Sequence, residues 1–392
     1  MNARERMLAT LNHVKPDRVP IQLGWRPEVM AAVKKHYKVD SSGEVAKILD
    51  ADLYRTAKVP TRFKEFEKRA GGKPPGVLAQ AGGFAEMGPA IMLDDRTFQN
   101  EWGVVRRLGE DGKYLEWVSG PFSNTDDLDS FDWPGERVIM DDPGLAAKVA
   151  AFKSEGYFVV GSSGLHPFKQ AWHMRGFENF LCDYAANPEF VEKLYDRILG
   201  FTIPMCKRSA AAGVDLLDFW GDVSMQDRMI VPPDAWRAID KPAWKRIITE
   251  TRKVNPDVRF FFHSDGNITP IIDDLIEVGF DILNPLQPEC VNPAEIKAKW
   301  GKRLTLDGGG SVQRTLPFGT LKDVKREVDF LMTSCAYDGG YIFRASNAVQ
   351  FDAPVENVVT YYEYARDWDL SKLEGPPKKI SRPPCLSIKV KA

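Results

Sequence analysis

His263 and Asp265 stand two residues apart at the end of a short apolar run, in RFFFHSDGNITPIIDDLIEVGFDILNPLQ. On extended backbone, residues i and i+2 point the same way, so an imidazole and a carboxylate can face one ligand there. The pair suits two chemistries. It can supply two ligands to a catalytic metal, zinc or another divalent ion, or act as a hydrogen-bonded base against a substrate. Zinc catalysis needs a third protein ligand and an open position. Glu289, Asp307 and Cys335 are candidates, and the sequence does not choose among them. One imidazole and one carboxylate are few strong ligands, so the expectation is a weakly held divalent ion or none. Without metal, Asp265 is expected to raise the pKa of His263. Ser264, Gly266 and Asn267 add backbone N–H groups near a helix N-terminus, where an anion is welcome.

Other polar and aromatic residues fall at the ends of similar apolar runs. Trp25 and Arg26 follow the first; Ser162, Ser163 and His166 another; Trp220, Asp222, Gln226 and Asp227 the next. Asn284 and Gln287, then Asp307, then Arg344, Ser346 and Asn347 complete the series. Taken singly, each reads as a cap, a turn or a gap filler. Their concentration points to a site, with His263, Asp265 and Asp222 as its reactive groups. Gln226 would help Asp222 orient a ligand, Arg26 or Arg344 would meet a carboxylate, and Trp25 and Trp220 would wall an aromatic or cofactor ring. His166 and His173 stand between site and support, and His13 and His36 read as surface residues. No Ser or Cys nucleophile occupies a recognised elbow.

The elements that must position these groups alternate. Ala3 to Leu11 reads as a helix, Val19 to Gly24 as a strand, and Glu28 to Ala57 as helical. Residues 71–134, rich in Gly, Pro and aromatics, read as an insertion of loops and hairpins within a single domain spanning 1–392. Beyond Trp133-Pro134, strands at 157–161, 213–220, 258–262, 281–286, 303–307 and 340–344 are separated by helices. Such repeats imply a parallel sheet with right-handed crossovers. With the first strand and one before the insertion the total is about eight, which predicts a (β/α)8 TIM barrel whose strand ends converge on one mouth. An open doubly wound sheet is the alternative, but no G-x-G-x-x-G or P-loop follows a strand. DGGGS at 307–311 reads as a turn or a ring-contacting loop.

The 392 residues suffice for one large core. A formal charge of −2 points to no nucleic acid, and no apolar run reaches the roughly 20 residues of a membrane helix. The charged N-terminus is unlike a secretory signal. Five scattered cysteines without a C-x-x-C pair read as small apolar residues of a reduced, cytoplasmic protein.

Taken together, RERMLATLNHVKPDRVPI, AWHMRGFENFLCDYAANPEFVEKLYDRI, GDVSMQDRMIVPPDAWRAIDKPAWKRII, FFHSDGNITPIIDDLIEVGFDILNPLQP, LPFGTLKDVKREVDFL and GGYIFRASNAVQFDAPVENVVTYYEYAR resemble the uroporphyrinogen decarboxylase superfamily, which includes corrinoid-linked methyltransferases. The resemblance implies the TIM barrel and a cleft at the strand carboxyl ends. Two departures narrow the function it implies. The arginine-rich N-terminal loop of the decarboxylases is replaced by IQLGWRPEVMAAV, with Arg26 alone. The methyltransferases' zinc motif, His-x-Cys with a later Cys, is matched only at His263; Asp265 and Asn347 stand where thiolates would be. The leading expectation is demethylation of a small methoxylated or methylated compound, with transfer of the methyl group to a corrinoid protein or similar carrier. The alternatives are a lyase that decarboxylates a small acid or tetrapyrrole, and a non-catalytic binder of a corrinoid or tetrapyrrole. A homodimer is compatible with each.

Overall fold

The computed structural model describes residues 1–70, 90–110, 112, 114–373 and 375–389. Eleven strands are formed among them. β1 is Tyr54–Ala57; β2 Ile91–Met92, β3 Thr97–Gln99, β4 Val105–Leu108 and β5 Leu115–Ser119 belong to the insertion. β6 is Phe158–Gly161, β7 Leu216–Trp220, β8 Arg259–His263, β9 Ile282–Asn284, β10 Thr305–Asp307 and β11 Tyr341–Ile342. Strands β1 and β6 to β11 make one parallel sheet in that order, curled as a TIM barrel, with helices along its outer face.

Alternation along each strand divides the core. Phe158, Val160, Leu216, Phe261, Ile282 and Ile342 form an inner cluster, capped from below by Met7 and Leu11 of helix Ala3–Leu11. Their neighbours, such as Leu217, Phe219, Phe260, Phe262 and Leu283, pack outward against the helices in one continuous cluster. Trp244 of helix Pro233–Arg252 anchors the outer layer, edge-on to Phe219, Phe262 and Phe280 at 4.9–5.8 Å. Local signals set the helix ends. Asn2 and Glu5 form a capping box, as do Thr320 and Asp323. Gly279, at φ 110°, ends helix Ile272–Val278.

Two element expectations need correction. The segment 19–24 is not a ladder strand. It touches the last strand region through isolated parallel bridges, Ile21 to Phe343 and Trp25 to Val349. Pro20 lacks an N–H, and the neighbouring backbone turns to the Asp52 side chain, whose Oδ2 accepts the Ile21 N–H at 3.0 Å. The Ile21 carbonyl accepts the Asp52 N–H at 2.9 Å. This segment therefore lies between β11 and the approach to β1, in the eighth position. The stretch from 28 to 57 is not continuously helical either. Helices Pro27–Tyr37 and Ser42–Ile48 stop before β1, which is the strand expected before the insertion.

The described part of the insertion is an antiparallel sheet, β2 to β5 in sequence order; residues 71–89 lie outside the described residues. It docks on helix Pro167–Arg175. The Trp117 indole donates to the His173 carbonyl at 2.8 Å, and Phe122 N–H to the Met174 carbonyl at 2.9 Å. Gly120 is required here, since a Cβ would strike the backbone of His173 and Met174.

Candidate active site

The inward positions change from apolar to polar toward the strand carboxyl ends. Asp218 and Trp220 on β7, His263 on β8, Asn284 on β9, Asp307 on β10 and Arg344 just past β11 share this upper layer. Trp220 pairs with His263, and His263 with Asn284, across adjacent strands.

A chain of hydrogen bonds orients His263. Its Nδ1 lies 2.6 Å from Asn284 Oδ1, and Asn284 Nδ2 donates to Asp307 Oδ1 at 3.1 Å. Arg344 Nε faces the same Asp307 oxygen at 3.4 Å. With its amide nitrogen turned to Asp307, Asn284 can offer His263 only an acceptor, so Nδ1 carries the proton and Nε2 a lone pair. That lone pair faces Asp222 Oδ1 at 3.6 Å and Asp265 Oδ1 at 4.0 Å.

The three side chains are held differently. Asp222, half exposed, accepts the Asp265 N–H at 2.9 Å. Asp265 Oδ2 accepts from Asn347 at 2.5 Å, while its Oδ1 is buried without a hydrogen-bond partner. Burial, reinforced by the charge of Asp222, pushes the Asp265 carboxyl up to about 7. Burial pushes the His263 pKa down, against the pull of Asp222. The expectation that Asp265 raises it is thus reversed: desolvation outweighs the neighbouring charge, and the leading opposing carboxylate is Asp222.

Three electron-rich atoms within 4.8 Å of one another fit a divalent cation. Asp222 is the third group beside His263 and Asp265; Glu289, Asp307 and Cys335 lie outside this cluster. Glu289 accepts from Ser311, Asp307 backs Asn284, and Cys335 is buried in helix Leu321–Cys335. No thiolate joins the cluster, so the set is harder than a zinc–cysteine centre.

The backbone N–H groups expected to meet an anion are already bonded. Ser264 donates to the Asn284 carbonyl, Gly266 to Gln287 Oε1, and Asn267 to the Met225 carbonyl. They shape the turn instead: Gly266, at φ 89°, abuts the Met225 carbonyl where no Cβ fits. Gln287 therefore braces this turn. Gln226 and Asp227 sit exposed on the 225–228 turn. Trp25 packs edge-on to Tyr362 at 5.2 Å, half-buried. Arg26 is the N-cap residue of helix Pro27–Tyr37. His166 caps helix Pro167–Arg175 and packs on Trp244 and Phe262, and burial holds its pKa near about 3. His173 faces Arg106 of β4 at 3.0 Å. His36 is exposed, but His13 is half-buried.

Asp218 and Lys169 escaped sequence reasoning. Asp218 accepts the Trp220 indole N–H at 2.7 Å, and that ring lies 4.5 Å from His263. Asp218 and Trp220 have the same i, i+2 spacing as His263 and Asp265, and that was the available signal. Burial lowers the Lys169 pKa, with Asp222 as the opposing charge, which places an ammonium near the cluster; only fold geometry reveals this.

The uroporphyrinogen decarboxylase (URO-D) family matches over residues 150–368, more than half of the sequence. The chain belongs to this family. The match covers β6 to β11 and hence every strand that carries the cluster. Among solved structures, a methyltransferase from Methanosarcina mazei is 18% identical, with 94% of this chain and 98% of that one covered at a TM-score of 0.60. At that identity the likeness establishes a shared fold. An L-ribulose 3-epimerase, 12% identical, covers 59% of this chain and 75% of its own at a TM-score of 0.33. Curated proteins give no match. Among the described residues of this family member, no helix is long and apolar enough to cross a membrane.

Proposed function

We propose that this family member transfers a methyl group from a small methoxylated or methylated compound to a corrinoid protein or similar carrier. The observation that carries the reading is the His263 lone pair facing the carboxylates of Asp222 and Asp265. Such a cluster is electrostatically incomplete and is satisfied by a positive centre between the groups. When a methyl group leaves oxygen or nitrogen, the heteroatom keeps the bonding electron pair and must be stabilised. Asp222, His263 and Asp265 are the residues that would hold a divalent cation, which would supply Lewis-acid stabilisation of that heteroatom. Asn284 and Asp307 fix the His263 ring, and Asn347 and the Gly266 turn fix Asp265. Trp220 packs against one face of His263.

Decarboxylation is less well supported. Arg344, one of the two guanidinium groups expected to grip an acid, is turned to Asp307. The test incubates metal-analysed protein with a panel of O-methyl and N-methyl donors and reduced cobalamin. Demethylated product and methylated cobalamin, both lost in His263→Ala, are expected. CO2 release from acids without any methyl transfer would overturn the reading.

A further inference from the structure

Two carboxylates as close as those of Asp222 and Asp265 repel each other, so the backbone must hold them. Each is pinned at both chain neighbours. Before Asp222, Gly221 lies against the start of helix Pro167–Arg175, where a Cβ would come within 2.8 Å of the His166 ring and 3.1 Å of Lys169 Cβ. His166 is itself packed on Trp244 at 4.9 Å. After Asp222, Val223 donates its N–H to Ser264 Oγ at 3.1 Å. Ser264 precedes Asp265, and Gly266 follows it, seated on the Met225 carbonyl. Ser264 is where the two turns meet. It is fully buried, and alternation turns its side chain away from the mouth that His263 and Asp265 face. Its N–H donates to the Asn284 carbonyl at 2.9 Å, and its Oγ lies 3.1 Å from Ser224 Oγ. The Asp265 carbonyl accepts from the Ser224 hydroxyl at 2.6 Å and from that of Ser264 at 2.9 Å.

Resting on the reading of Asp222, His263 and Asp265 as a cation-holding cluster, we propose that Ser264 is its positioning residue: the hydroxyl ties the turn that carries Asp222 to the turn that carries Asp265 and keeps both carboxylates at cation-binding separation before a cation arrives. His263 needs no such tie, because Asn284 orients its ring. The hydrogen bonds that oppose the repulsion lie behind the carboxylates and out of water, where they are strongest. Without the Ser264 hydroxyl the Val223 N–H is left buried and unpaired, and the two turns are free to part. An arriving cation must then draw the carboxylates together itself, and that ordering is taken from its affinity. A serine that serves packing alone behaves differently. Ser209 is equally buried, but its hydroxyl donates to the Ser162 carbonyl at 2.8 Å and joins helix Pro188–Ala211 to the end of β6.

Two measurements on the chelator-treated full chain test this apart from turnover. Mn2+ is titrated in by calorimetry and by loss of the free-ion electron paramagnetic resonance signal. Hydrogen exchange of the metal-free protein is read over the segments that hold Val223 and Asp265. Metal-free wild type should protect both amides. Ser264→Ala should speed their exchange by about ten-fold and weaken Mn2+ binding roughly 10–100-fold. Ser209→Ala should lower the melting temperature and leave both readouts at the wild-type level. If Ser264→Ala does not fold, Ser224→Ala, which removes the neighbouring hydroxyl, should weaken Mn2+ by about three-fold or more. Free exchange of both amides in metal-free wild type, or equally tight Mn2+ binding by wild type and Ser264→Ala, overturns the proposal. Protected amides that Ser264→Ala releases, with no Mn2+ bound by either protein, keep the tie and sink the cation reading. Mn2+ binding that falls in Ser264→Ala, in a protein that transfers no methyl group, keeps the proposal and sinks the methyl-transfer reading.

Discussion

Asn284 decides which nitrogen of His263 faces the mouth. Its carboxamide cannot serve His263 and Asp307 in any other orientation without setting two donors or two acceptors against each other. Partners of this kind behind a metal-binding histidine typically alter metal affinity or activity 10–100-fold. Asn284→Leu keeps the volume and removes the acceptor. The expected outcome is a roughly 10–100-fold loss of divalent-ion affinity and of turnover, with thermal stability reduced by about 1–3 kcal/mol for the orphaned Asp307 and ring N–H. Calorimetric titration with Mn2+ or Co2+ checks the first and a melting curve the second. A variant that binds metal as tightly as wild type would show that the ring needs no such support.

At the scale of elements, Glu327 shows how a helix fixes a mouth loop. It lies inside helix Leu321–Cys335, fully buried, and accepts the Ser311 N–H at 2.7 Å and the Thr315 hydroxyl. It thereby pins the glycine loop after β10. Burial pushes its carboxyl up to about 8, against the hydrogen bonds that lower it. The sign follows from linkage. Below the unfolded value, near 4.5, both states hold the proton. Between there and about 8 the unfolded chain ionises first, so stability falls as pH rises, and above about 8 the loss is complete. Glu327→Gln should remove that loss, raising stability at pH 8 by at least about 1 kcal/mol over wild type, with little difference at pH 4. Urea unfolding at the two pH values measures it. The elements themselves were legible where pattern and punctuation agreed. The apolar run 259–263, the polar turn and Gly279 mark β8 and its helix, and the i, i+2 rule placed His263 and Asp265 together. A strand before the insertion was expected, but its place at Tyr54–Ala57 was hidden because those four residues carry no alternation distinct from the helices before them. Asp222 was legible as a site residue but not as the third group beside His263 and Asp265, since its approach depends on β7 lying beside β8. The N–H groups of the 264–267 turn looked available because the groups that occupy them come from β9 and the 224–229 turn.

For the whole molecule, the seam at residues 19–25 is a joint made of isolated bridges and not of a continuous ladder. Elsewhere adjacent strands share registers of up to five residue pairs, as between β7 and β8. Here isolated bridges at Ile21 and Trp25, with the Asp52 carboxylate, do the same task. Sheets open first where few backbone bonds must break together. The amides of Gln22, Phe343 and Val349 should accordingly exchange with deuterium at least ten-fold sooner than those of Phe219 and Phe262, a difference of about 1.4 kcal/mol in opening free energy. Equal protection on both sides of the ring would refute it. The position of the seam matters as much as its weakness. In the strand order β8 lies halfway round from this joint, so earlier exchange at the seam would set Trp25 and Arg26 on the opening side and His263 with its partners away from it. A bulky acceptor such as a carrier-borne ring could then be admitted by parting the wall at Trp25, with the reactive groups held still across the opening.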